Sequence, residues 1–178
     1  MPEETVEQDE NAAAAPQIDP AQLQFALEQL RSQQNLVGGL VAGLAASFAG
    51  AAVWAGVTVA TGYQIGWMAI GIGFLVGIAI RTVGKGLDKV FGILGAVLAL
   101  LGCAVGNLLA VCGIVAQQES MPFLEVLSRL NPTLVQELMV ATFSPMDVLF
   151  YGIAVYEGYK LSFRQLTHEE LGSLFPGQ

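Results

Sequence analysis

The stretch GWMAIGIGFLVGIAIR, residues Gly66–Arg81, runs fifteen positions without a charge, carries four glycines and stops at an arginine. A helix of that composition has no polar face to turn to water, so its surroundings are lipid, the smooth faces of other helices, or both. Two neighbouring runs have the same character. Leu36 to about Thr61 is uncharged over twenty-six residues, and Val90–Ala116, VFGILGAVLALLGCAVGNLLAVCGIVA, over twenty-seven. Crossing a hydrocarbon core of about 30 Å takes about 20 apolar residues. Spans are therefore predicted over about 36–61, 65–80 and 90–116, with Tyr63, Gln64 and Trp67 in a tight connection where an aromatic belt would sit.

The whole chain agrees with these runs. Its 178 residues are 54% hydrophobic and 12% charged, about half the charged share of a soluble domain. The mean hydropathy is +0.60. Charge is uneven: before Leu36 there are seven acids against Arg31 alone, while the remainder is nearly neutral. Seven basic residues in all cannot build the lysine and arginine surface needed by nucleic acid or by electrostatic docking on anionic lipid. The lipid bilayer is the expected partner through hydrophobic contact, and neither nucleic acid nor a particular protein partner is indicated.

Residues 1–18 combine acids, an alanine tract and two prolines and are expected to be a disordered acidic tail. Asp19, Pro20 and Gln22 make a helix start for a short amphipathic cytoplasmic helix over 19–35, with Leu23, Leu27 and Leu30 on one face. The membrane domain is predicted over 36–163. Within it, 121–142 reads as an interfacial amphipathic hairpin broken at Asn131-Pro132, and 145–163 as a fourth crossing or, alternatively, an interfacial helix. A polar tail, 164–178, closes the chain. The fold class is thus all-α and polytopic. Arg81, Lys85 and Lys89 form the basic loop that the positive-inside rule places in the cytoplasm, which puts both termini there too.

Seventeen of the twenty-one glycines lie between Gly38 and Gly113. Between helices in lipid, small residues permit close approach. Ala42, Ala46 and Gly50; Ala69, Gly73 and Gly77; and Gly95, Ala99, Gly102 and Gly106 are the expected packing faces. Gly66 and Gly71 fall off the Ala69 face, and this surplus of small surfaces points to self-association into a homo-oligomer.

Three residues are candidates for a polar path. Glu157 lies about 18 Å along the fourth helix and is either an ion or proton site or a partner of Lys160 one turn on. Asn107, in the third span, lines a pore or bonds a neighbouring helix, and Gln64 completes the set. Tyr151, Tyr156 and Tyr159 are expected at an interface. Cys103 and Cys112 are nine residues apart, on opposite faces of one helix, and cannot pair there. His168 is the only histidine, and Gly84–Gly86 lacks the spacing of a phosphate loop. No catalytic set, metal site or cofactor is expected. The two functional readings are a structural or interaction protein and an oligomeric channel or transporter.

With GYQIGWMAIGIGFLVGIAIR and DVLFYGIAVYEGYKLSF both in view, the chain resembles a group of small bacterial polytopic membrane proteins in which a variable hydrophilic amino-terminal part precedes a similar membrane unit. The resemblance covers roughly Leu36–Phe163 and implies a bacterial cytoplasmic membrane. It brings no activity and no functional residue.

Overall fold

The computed structural model describes residues 20–166; the amino-terminal tail, its Asp19 cap and the carboxy-terminal tail from 167 lie outside the described residues. All regular structure among the described residues is helical: α1 Pro20–Ser32, α2 Leu36–Thr61, α3 Trp67–Gly84, α4 Lys89–Gln118, α5 Phe123–Ser128, α6 Pro132–Thr142 and α7 Pro145–Leu161. Three of them, α2, α3 and α4, are long and apolar enough to cross a membrane. The chain divides into two units, of which residues 33–165 form one. The other contains α1, where Ala26 and Leu30 are buried while Leu23 and Leu27 are exposed. The buried face there is the 26/30 pair, one turn apart, rather than the expected leucine row.

Local chemistry sets the boundaries. The Asn35 carboxamide caps α2 by accepting from the Gly38 N–H at 2.8 Å. At the other end Gly62, at φ 70°, returns its N–H to the Thr58 carbonyl, a left-handed turn that glycine adopts without strain. Asn131 caps α6 ahead of Pro132, and Ser144 and Asp147 form a reciprocal capping box ahead of α7. In both helices proline opens the first turn, where its missing N–H costs no hydrogen bond.

Side-chain neighbours give the directions of the helices. Along α2 and α4, Gly43 meets Leu98, Ser47 meets Gly102 and Val59 meets Gly113, so these two run parallel. Along α3 and α7, Gly73 meets Ala154 and Gly77 meets Gly158 and Leu161, so these two are also parallel. Gly43 against Ile80 with Gly50 against Ile72 makes α2 antiparallel to α3, and Gly95 against Gly158 with Cys103 against Tyr151 makes α4 antiparallel to α7. The core is Trp54, Ala69, Ile72, Val76, Ile80, Phe91, Leu98, Cys103, Tyr151 and Ala154. Between α6 and α7 the chain bends by 103°, so the two are not one continuous rod.

The extent of α7 follows from its ends. At its start, Phe150 covers Gly66, which caps α3. Past its finish, the Arg164 N–H donates to the Gly86 carbonyl at 2.8 Å, in the loop that follows α3. The seventeen residues of α7 therefore run beside α3 over nearly its whole length, from the 62–66 loop to the basic loop.

Candidate functional site

Two features of the 33–165 unit bear on function: a seam closed by small residues and a group of polar side chains beside it. At the seam, a methyl on Gly95 would strike the Gly158 carbonyl and the Ser162 hydroxyl, and one on Gly158 would lie 2.7 Å from the Gly95 carbonyl. One on Gly73 would lie 2.8 Å from the Ala154 Cα. Backbone thus meets backbone where α7 crosses α3 and α4. Ser162 Oγ donates to the Gly158 carbonyl at 2.6 Å and Ser47 Oγ to the Leu98 carbonyl at 2.9 Å, so these two buried hydroxyls are satisfied.

Of the expected packing residues in α3 and α4, Ala69, Gly73, Gly77, Gly95, Ala99, Gly102 and Gly106 are all buried; Gly73, Gly77, Gly95 and Ala99 meet α7, whereas Gly102 and Gly106 meet Ser47 and Trp54 of α2. In α2 the buried row is Gly39, Gly43, Ser47, Gly50, Trp54 and Thr58; Gly50 belongs to it, whereas Ala42 and Ala46 sit one residue off and are half-buried. Of the two glycines placed off the Ala69 face, Gly66 is covered within the chain by Phe150, and Gly71 faces open space, as do Gly56 and Gly152.

The polar group occupies the opposite end of the bundle from the basic loop. Asn107 is 1% exposed. Its Oδ1 accepts from Gln64 Nε2, and its Nδ2 faces the Met139 sulfur at 3.9 Å. Loop, α4 and α6 are thereby tied together through one carboxamide. Tyr151, expected at a wet interface, is buried instead: its hydroxyl donates to the Cys103 carbonyl at 3.2 Å, and its ring meets Trp54 and Phe143 edge-on at 6.5 and 5.8 Å. A carbonyl on the neighbouring helix gives its hydroxyl the partner that water would otherwise supply. Tyr156 and Tyr159 are exposed.

Two buried side-chain atoms here have no hydrogen-bond partner, Trp54 Nε1 and Thr58 Oγ1. These residues are 1% and 0% exposed and lie one turn apart on the same face of α2. An unmade buried hydrogen bond costs about 1–3 kcal/mol, so each atom calls for an explanation. The sequence did not single out either, because small residues occur all around α2 and nothing in its periodicity marks the face of Trp54 and Thr58 as the buried one.

Glu157 does not join this group. It is half-buried on α7, with its carbonyl against Gly77, and it makes no ion pair with Lys160, whose ammonium lies 5.5 Å from the Tyr156 ring. Of the three path candidates the structure brings together Gln64 and Asn107 only. Cys103 and Cys112 are both buried and free. No group of three or more His, Cys, Asp or Glu among the described residues could hold a metal ion. Arg81, Lys85 and Lys89 cluster at the loop between α3 and α4, beside the Gln34 to Asp88 hydrogen bond of 2.9 Å.

On the outer side of α2 and α4 lies an apolar notch of about 460 Å³, walled by Ala52, Gly56, Val59, Leu109 and Gly113 and bounded by Phe123 of α5. Comparison with protein-family models, curated proteins and solved structures finds no match to this chain.

Proposed function

We propose that the chain is a multi-pass protein of a bacterial cytoplasmic membrane, with four crossings and both termini in the cytoplasm, that serves as a non-enzymatic structural or interaction component and associates with further copies of itself. The observation that carries the choice against transport is the seam: α7 meets α3 and α4 backbone to backbone, and Glu157 stands beside that seam apart from Asn107 and Gln64. An ion path needs consecutive polar groups along the crossing. The fourth crossing is supported by the match between α7 and α3, end for end.

Self-association is supported by the glycines that packing within the chain leaves unexplained. Gly56 has nothing within reach of an added methyl, and it lines the apolar notch together with Gly113. Ala52, Val59 and Leu109 wall the notch around it, so a second helix bearing a bulky side chain would find there the close approach that small residues permit. Native mass spectrometry from lipid nanodiscs tests this. Masses at multiples of 18.7 kDa are expected, collapsing toward one chain in Gly56→Leu. A single-chain mass for the wild type, with or without a lipid retained in the notch, overturns it.

A further inference from the structure

We infer that the half of the bundle away from the basic loop holds a one-sided water pocket, in which a small cluster of ordered waters bonds Trp54 Nε1 and Thr58 Oγ1 and reaches the outside past Gln64. The inner wall is given by the two partnerless atoms, both on residues at least nine-tenths buried. Trp54 Nε1 can only donate, and Thr58 Oγ1 can do both, so the missing partner has to supply an acceptor. No protein acceptor is placed to take the Trp54 Nε1 proton: the ring of Tyr151 meets the indole edge-on while its hydroxyl is turned to the Cys103 carbonyl.

The mouth is a recess of about 190 Å³ lined by Gln64, Thr142, Ser144 and Asp147. Asp147 lies one turn before Tyr151 on the same face of α7, and the Tyr151 ring meets the Trp54 ring. On the other side Thr58 is one turn from the end of α2, and the loop carrying Gln64 follows directly. Gln64 is shared by the recess and the interior bond to Asn107, so it stands between the two.

Water fits this site and other occupants do not. A buried water needs two to four polar partners and about 10–15 Å³ of room. A cation cannot accept from the indole N–H, and an anion would leave water beside the Asp147 carboxylate with no basic residue among those lining the recess. An acyl chain would leave both donors unmade. The pocket ends at the core, where Cys103, Ala99, Val76 and Ile80 are fully buried.

The test uses the full chain in lipid nanodiscs carrying Trp67→Phe, which leaves Trp54 as the only indole. With the indole nitrogen isotopically labelled, magnetisation exchange between Trp54 Nε1–H and water is measured by NMR, together with its exchange in D2O. A water cross-peak is expected, with indole exchange at least tenfold slower in Gln64→Leu while backbone amides of α2 keep their protection. An indole N–H with no contact to water overturns the pocket. Exchange that is indifferent to Gln64→Leu overturns the assignment of its mouth.

Discussion

Gly95 and Gly158 show what the glycines of this chain do. Each faces the other's backbone across α4 and α7, so a side chain on either pushes two helices apart rather than filling a void. Overpacking a closed interior costs about 1–3 kcal/mol. Gly158→Val is expected to lose at least that much in unfolding by detergent titration. Gly152→Ala, whose added methyl meets nothing, is expected to stay within about 0.5 kcal/mol of wild type. A loss at Gly152→Ala as large as that at Gly158→Val would contradict close approach of the helices as the reason for glycine at Gly158. Asn107→Ala removes the acceptor for Gln64 in a span; hydrogen bonds between membrane helices are worth about 0.6 kcal/mol on average, with a maximum near 1.7, so a loss in that range is expected in the same titration.

At the scale of elements, α2, α3 and α4 were legible because their apolar runs are long, uncharged and bounded by polar loops. The breaks at Asn131-Pro132 and Ser144-Pro145 were legible because capping residues and proline leave few alternatives. The face of α2 was not. Glycine and alanine occur all around that helix, so periodicity does not distinguish the Gly43–Ser47 row from the Ala42–Ala46 row; contact with Leu98 and Ile80 selects the former. Nor was the burial of Tyr151, because its short apolar run reads equally well as interface. The depth of α7 can be tested by labelling: Met146→Cys is expected to react with an impermeant thiol reagent from outside the cell and Lys160→Cys only from the cytoplasm, both being exposed positions. Reaction of both from one side would make α7 interfacial.

At the largest scale, the 33–165 unit joins a closed seam, a shallow polar recess on one side and an apolar exterior notched beside Gly56. Of the site, the sequence carried Asn107 and Gln64 but could not pair them, since their bond spans 43 positions of chain. Proteoliposomes containing the wild type are expected to show no ion flux above protein-free vesicles, and Glu157→Gln is expected to change nothing. The central claim is that the middle of the bundle is dry, and Cys103, fully buried on α4 with its sulfur 3.7 Å from the Ala69 carbonyl, reports on it directly. In Cys112→Ala, which leaves Cys103 as the only thiol, a small membrane-impermeant thiol reagent is applied to either side of intact membranes. No labelling is predicted until the protein is unfolded; labelling of the folded protein from either side would show a wet path and contradict the account.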